Sequence, residues 1–520
     1  LRSAARVCAG GCDVTGSSNA SRKRRRPERP VQPRAPYVTR NIGPLPVLSE
    51  EGLELIEANA DRILAETGME FHDDPEILKV FRAAGCDVSG VRVRFEPGFC
   101  RKIIQATAPA EFSQQARNRE NTVRMGGSAT VLCPSWGPPF VHDLDRGRRY
   151  ASYEDFTTLV KLHQTIPWLH HSGGVVCEPV DLPASTRHLD MLYAHIRWSN
   201  RPFMGAFIGA ERAGHAIDMA RIVFGDWMNA DPVLYCVSNT NAPLVMDANM
   251  SGALKTYAHA GQPVACTPWV LTGAMSPCTV AGTLAQVLAE AMAGLALVQL
   301  INPGAPCLMG SFASTMSMQS GAPTFGTPEA GQMVLAAGQL ARRLGVPLHT
   351  VGTLSASKLP DGQSQQEATW GLMMSMFAGA HVINHATGWL EGGLVTGFEK
   401  TMLDADLCGK LMRFFEGIDL SENAQAMSAI AATGPGQHFL GSDHTQANFL
   451  SALFRPETPD NNSYEQWAAA GELDASQRAN ALWKEHLEVY EDPGLDPAVD
   501  EELQAYIART KEQVGEAEYF

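Results

Sequence analysis

Aromatic and imidazole side chains fall where short apolar runs give way to polar loops. They are the first residues in this chain that could do chemistry. Trp136 and Phe140 follow one such run, Trp269 ends another, and Trp389 follows a third. Aromatic faces attract cations, and quaternary ammonium groups are held in cages of them. The same rings could simply cap a hydrophobic core. A polar set accompanies them: His349, Lys358, Asn384, His385 and Glu391. These residues could bind an anionic group, or they could be satisfied hydrogen-bonding groups in the interior. A metal reading is also open, because His349, His381 and His385 with Cys266 or Cys307 supply zinc-type donors. No His-x-x-x-His pair lies on a helix with a general-base Glu, and His381 and His385 straddle a strand end, so the expected metal set is none. No Gly-x-Ser-x-Gly elbow offers a serine nucleophile.

The spacing of the runs says what must position these groups. Eight strand candidates occur in order: Ala129–Pro134, His171–Cys177, Phe203–Gly209, Val233–Asn239, Pro263–Val270, Pro306–Phe312, Pro347–Thr353 and Ala380–Asn384. Each precedes a helical pattern, namely Tyr153–Gln164, Ser185–Asn200, Ala210–Phe224, Asp247–Ala260, Thr279–Leu300, Pro328–Leu344, Ser364–Gly379 and Asp404–Phe415. Strands alternating with helices indicate a parallel α/β sheet. Eight units predict a (β/α)8 TIM barrel over residues 129–419, with its site at the C-terminal strand ends. An open doubly wound sheet would show a glycine-rich phosphate turn after its first strand. Here that turn reads Ser135-Trp136-Gly137-Pro138-Pro139.

Around the barrel, residues 37–128 read as an N-terminal α-rich region. It opens with a helix over Leu48–Thr67 capped at Ser49, then a second over Asp74–Ala84. Residues 420–520 read as a C-terminal helical extension, with helices over Trp467–Leu487 and Pro497–Val514, suited to packing on the barrel or to a homo-oligomer contact. Residues 1–36 carry the run Arg22–Arg26 and no apolar signal region, and read as a disordered basic arm.

A net charge of -15 over 520 residues argues against a general nucleic-acid or membrane-surface binder. The 11 cysteines form no Cys-x-x-Cys pair, as expected of reduced thiols in the cytoplasm. The most apolar stretch, Thr279–Ile301, contains Gln286, Glu290 and Gln299, and reads as a buried helix rather than a membrane span.

Four long segments carry a resemblance. They are YVTRNIGPLPVLSEEGLELIEANADRILAETG at 37–68, ATVLCPSWGPPFVHDLDRGRRYASYEDF at 129–156, SGAPTFGTPEA at 320–330, and GVPLHTVGTLSASKLPDGQSQQEATWGLMMSMFAGAHVINHATGWLEGG at 345–393. Together they resemble the trimethylamine methyltransferase family, in its non-pyrrolysine branch, over residues 37 to 515. The resemblance implies a (β/α) barrel enzyme that moves a methyl group from a methylated amine to the cobalt of a corrinoid (cobalamin). A cognate partner protein presents that corrinoid, so no cofactor is bound tightly. Some members carry pyrrolysine just before the segment matching Ser355-Ala356-Ser357-Lys358, and the matching position here is Leu354.

That departure bears on the substrate. Co(I) displaces a methyl readily from a nitrogen bearing four carbons, because a neutral amine leaves. Neutral trimethylamine must first be protonated or joined to an electrophile, and Leu354 supplies neither. The expected substrate is therefore a quaternary amine, glycine betaine or a related betaine. Leu354, His349 and Glu391 form the expected catalytic set, with Glu391 orienting a His or facing the ammonium. Trp136, Phe140, Trp269 and Trp389 would hold the cation, and Lys358, Asn384, His385 and His349 the carboxylate. Other readings stay open: a trimethylamine or other methylamine enzyme, a zinc-dependent corrinoid methyltransferase or metal-dependent hydrolase, and a non-catalytic betaine-binding relative.

Overall fold

The computed structural model describes residues 35–515, and most of the basic arm lies outside them. Six strands run parallel in the spatial order Cys236–Thr240, Val264–Thr272, Cys307–Gly310, Leu348–Val351, Val382–Asn384, Ala129–Leu132. Residues two apart on a strand share a face. Accordingly Leu132, Cys236, Cys266, Cys307, Leu348 and Ile383 join the core shared with the helices. Val131, Cys133, Tyr235, Val237, Ala265, Leu308 and Val382 join a second, separate core. Two cores on the two faces of one sheet mean that the sheet curls around an interior of its own.

The expected second and third strands, His171–Cys177 and Phe203–Gly209, form no ladder. They are extended segments tied by single bonds: His170 N to Leu132 O at 3.1 Å, Ser172 N to Pro202 O at 2.8 Å, Met204 N to Gly173 O at 2.9 Å, and Gly205 N to Tyr235 O at 3.0 Å. Ladder groups are diverted locally. The Leu132 N–H donates to His170 Nδ1, the Gly173 N–H donates to His171 Nδ1, and Pro202 has no N–H to give. Gly205 allows a close approach: a Cβ there would lie 1.9 Å from the Tyr257 hydroxyl.

All eight helices between the runs are present, as Tyr153–Thr165, Arg187–Trp198, Ala210–Phe224, Ala248–His259, Val280–Ile301, Pro328–Leu344, Gly362–Phe377 and Phe398–Phe415. Local chemistry sets their ends. Ser152 and Asp155 close a capping box, and Pro328 follows a Thr327 cap on a helix that stops at left-handed Gly345. Val280–Ile301 is long and apolar enough to cross a membrane, yet 89% of its apolar window is buried within the protein. Its polar residues are partnered. Glu290 accepts from Thr240, from the Leu244 N–H at 2.9 Å and from Gln286 at 2.9 Å, while Gln299 donates to Ala305 O.

The N-terminal helix Glu50–Arg62 is capped by Ser49 and runs on as a π turn through Ile63–Thr67. Helix Pro75–Ala83 follows, capped by Asp74. The antiparallel pair Phe112–Gln114 and Val123–Met125 closes one end of the sheet interior, with Val123 and Met125 in the inner core. At the C-terminus the expected Trp467–Leu487 helix is two helices, Tyr464–Ala469 and Ala475–Glu488. They are broken where Gly471 and Glu472 take positive φ. Helix Pro497–Val514 forms as expected. No residue from 416 to 457 is buried, and Ile418, Leu420, Leu440 and Leu453 stand exposed there.

Candidate active site

The interior of the sheet carries polar side chains in one layer and aromatic rings in the next. In the polar layer, alternation brings Tyr235, Thr267 and His349 inward. Gly310 makes room for this: a Cβ there would lie 2.0 Å from Thr267 Oγ1, so only glycine lets Thr267 sit against the neighbouring strand. The Thr267 hydroxyl is hydrogen-bonded to His349 Nδ1 at 3.0 Å. The His349 ring meets Tyr235 edge-on at 6.0 Å. Burial lowers the His349 pKa to about 3, the Asn384 amide opposing this only in part, so the imidazole is neutral at pH 7. Tyr235 Oη, His349 Nε2 and both amide atoms of Asn384 are buried without an aligned hydrogen-bond partner. Each such atom costs on the order of 1–3 kcal/mol if left unpaired. Clustered here, they leave donors and acceptors open to a ligand or to water.

The aromatic layer lies two residues further along the strands. Trp269 and Phe312 are register partners across two parallel strands, with rings 6.0 Å apart. Phe312 is 5.9 Å from His385 and 6.2 Å from Trp389. His385 and Trp389 meet at 4.1 Å, edge to face. Trp136 stands 6.4 Å from His385 and 4.6 Å from Phe207. His385 takes a left-handed φ of 54°, which turns its ring back to accept the Trp136 N–H on Nδ1 at 3.2 Å. Its proton therefore sits on Nε2. Burial holds its pKa well below the ordinary imidazole value. Leu354 packs with Phe325 and Trp389 as an apolar wall.

Support for Trp389 comes from behind. A Cβ on Gly393, at φ 104°, would lie 2.4 Å from the indole. The Gly388 N–H donates to Asp404 Oδ2 at 2.9 Å, and Asp404 is ion-paired with Lys400 at full burial.

The structure thus gathers His349, Asn384, His385, Trp389, Trp269, Trp136 and Leu354 around one interior, and sets three other expected residues apart. Phe140 lies on the strand Phe140–Asp143 under the Arg148 guanidinium at 3.6 Å and against Tyr150. Glu391 is ion-paired with that same Arg148 at 2.9 Å, so its carboxylate is committed to a cation of the chain. Lys358 is exposed and donates to Ala356 O at 2.9 Å. The zinc-type set is not assembled. Both His381 nitrogens engage backbone, with Leu348 N and Gly127 O. Cys266 packs on Gly294 and Cys307 on Gln299, both on the helix side. Burial pushes the Cys307 thiol up to about 12. Among the described residues no group of three or more His, Cys, Asp or Glu is placed to hold a metal. Sequence reasoning missed Tyr235, Thr267 and Phe207. Tyr235 lies in the apolar run just before the strand Cys236–Thr240 and reads as core, but strict alternation from Val237 turns it inward.

Fold and site define an α/β protein with a cluster of aromatic rings over neutral polar groups toward the C-terminal strand ends. The model of the trimethylamine methyltransferase (MTTB) family matches residues 15–515, and the chain belongs to that family. It is a methyltransferase. It is 39% identical over 472 residues to the glycine betaine methyltransferase of Desulfitobacterium hafniense strain Y51, covering 90% of this chain and 98% of that one. It is 26% identical over 488 residues to trimethylamine methyltransferase MttB2 of Methanosarcina mazei, covering 89% and 94%. Among solved structures, the monomethylamine methyltransferase MtmB of Methanosarcina barkeri superposes with a TM-score of 0.43 at 12% identity, over 87% of this chain and 96% of that one.

Proposed function

We propose that this methyltransferase takes a methyl group from a quaternary amine, glycine betaine or a related betaine, and gives it to the Co(I) corrinoid of a separate partner protein. The observation that carries this is the wall beside the aromatic cluster. Leu354, Phe325 and Trp389 are apolar, and the nearby histidines are neutral. Neither that apolar wall nor a neutral imidazole supplies a proton to activate a tertiary amine. Such a pocket suits a nitrogen already bearing four carbons. In the transfer the N–CH3 bond breaks with its electron pair left on nitrogen, so glycine betaine becomes dimethylglycine. The cobalt electron pair forms the new Co–CH3 bond. The protein contributes positioning: the aromatic faces hold the ammonium, and the enclosure excludes water. Neutral His385 matters here, because an imidazolium at that place would repel the cation. The relative named as a glycine betaine methyltransferase supports the same substrate.

The same reading includes a closed eight-membered barrel. The segments around His171 and Phe203 bridge Leu132, in the strand Ala129–Leu132, to Tyr235, just before the strand Cys236–Thr240, by backbone hydrogen bonds. The corrinoid protein would approach the C-terminal strand ends, where Trp269 is 38% exposed.

The test is product identification. With a Co(I) corrinoid acceptor and glycine betaine, equal amounts of methylated corrinoid and dimethylglycine are expected. Binding of betaine without either product would make the chain a non-catalytic relative. Trp389→Leu probes the cage. Losing one desolvated cation–π face, worth about 2 kcal/mol, is expected to lower kcat/KM for betaine roughly 30-fold. A change under about twofold would remove Trp389 from the ammonium site.

A further inference from the structure

We propose that Tyr235, His349 and Asn384 form a carboxylate subsite that restricts the substrate to zwitterions whose carboxylate is one short linker from the quaternary nitrogen. This deepens the betaine reading and rests on it.

The donors are in place, with the Asn384 amide near enough to bear on the His349 imidazole. Tyr235 Oη, His349 Nε2 and the Asn384 amide nitrogen are all buried without aligned partners. The Thr267 hydroxyl engages His349 Nδ1 at 3.0 Å and leaves Nε2 toward the interior; in the tautomer with the proton on Nε2, three side chains offer hydrogen to one region. The residues are held from outside the pocket: His349 by Thr267, and the Asn384 backbone by the strand register Val351–Asn384. None of the three is a cation at neutral pH. The buried cations Arg40, Arg201 and Lys400 are engaged elsewhere, by Gly127 O, by the carbonyls of His163, Gln164 and Ile166, and by Asp404. Neutral donors suit a zwitterion, whose two charges cancel, better than a free anion that needs a counter-charge.

Geometry supplies the orientation. His349 and Gly310 are register partners, and Trp269 and Phe312 lie two residues beyond Thr267 and Gly310. Two residues advance about 6.6 Å along a strand. A carboxylate on the deep donors therefore leaves a nitrogen one carbon away among the rings. Its methyl groups then face the open strand ends, where the acceptor must arrive. A longer linker would push the ammonium past the rings.

The experiment compares methyl transfer from glycine betaine, its near-isosteric amide (carbamoylmethyl-trimethylammonium), ethyltrimethylammonium and γ-butyrobetaine. The native enzyme is expected to prefer glycine betaine over the amide and over γ-butyrobetaine by about tenfold or more in kcat/KM. Tyr235→Phe is expected to raise KM for glycine betaine about tenfold with kcat changed less than about threefold, and to shrink its preference over ethyltrimethylammonium by about the same factor. Asn384→Leu, which keeps the volume, is a second variant with the same expected direction. Equal native rates for betaine and amide overturn the subsite, and so does an equal loss on every substrate in both variants. Transfer from none of the four quaternary amines by the native enzyme overturns the betaine reading itself, and the subsite with it.

Discussion

Between pH 6.5 and about pH 4 the protein is expected to lose stability at several kcal/mol per pH unit. The groups responsible are histidines buried in neutral form. Burial lowers His163, His170, His171, His188 and His349 to about 3, and His195 and His381 to about 4. The unfolded chain protonates each near pH 6.5. Within that window the unfolded state binds more protons than the folded one, so acid favours unfolding. The contribution of these groups is fully present above pH 6.5 and drains away as pH falls toward the folded values. Each can cost at most about 1.4 kcal/mol per unit. Glu178, Glu290 and Asp404, whose carboxyls burial raises, work the other way and offset a part. A total stability of about 5–15 kcal/mol does not survive two such units. Urea titrations at pH 7.5, 6.5, 5.5 and 4.5 check this, with the midpoint expected to collapse at the acid end. A flat midpoint down to pH 4.5 would contradict the burial of these rings.

Replacing Lys400 by methionine is expected to destabilise the protein by roughly 3–5 kcal/mol. Lys400 and Asp404 lie one turn apart on the helix Phe398–Phe415 and are both wholly buried. Removing the ammonium strands a carboxylate that also accepts from Gly388 N and from Gln365 Nε2 at 3.3 Å. Protonation of Asp404 would relieve the charge but weaken its hold on Gly388, next to Trp389. The variant should therefore lose activity as well as stability. In a double-mutant cycle, Lys400→Met with Asp404→Leu should be less damaging than the sum of the single changes, because no charge is left behind. Full additivity, or a loss under about 1 kcal/mol for Lys400→Met, would mean the pair is not the buried ion pair described.

The helices were the legible part of this fold. The pattern Pro328–Leu344 carries period, cap and stop in the sequence itself, and its bounds, like those of Ala210–Phe224, agree with the structure. The segments around His171 and Phe203 read as strands because their apolar content is strand-like, yet they form none. What diverts them is non-local: imidazole nitrogens taking backbone N–H groups, and Tyr257 pressing on Gly205. The site divides the same way. Strand-end aromatics such as Trp269 and Trp389 could be placed by counting strands. Phe140 and Glu391 could not be separated from them, because their common partner Arg148 lies on a hairpin that pairs with the Val395–Gly397 strand. Tyr235 was hidden for the opposite reason. It looks like core in sequence; alternation from Val237 sets its face, and the curl of the sheet brings that face against His349.

The most direct measurement of the central claim sets glycine betaine beside trimethylamine as methyl donors, with the same Co(I) corrinoid protein and the full-length enzyme. Loss of the Co(I) absorbance is followed and the demethylated product identified. The account predicts methyl transfer and dimethylglycine from betaine, with no transfer from trimethylamine above the rate without enzyme, because the wall at Leu354 offers no group to activate a tertiary amine. Transfer from trimethylamine with none from betaine or another quaternary amine would contradict it.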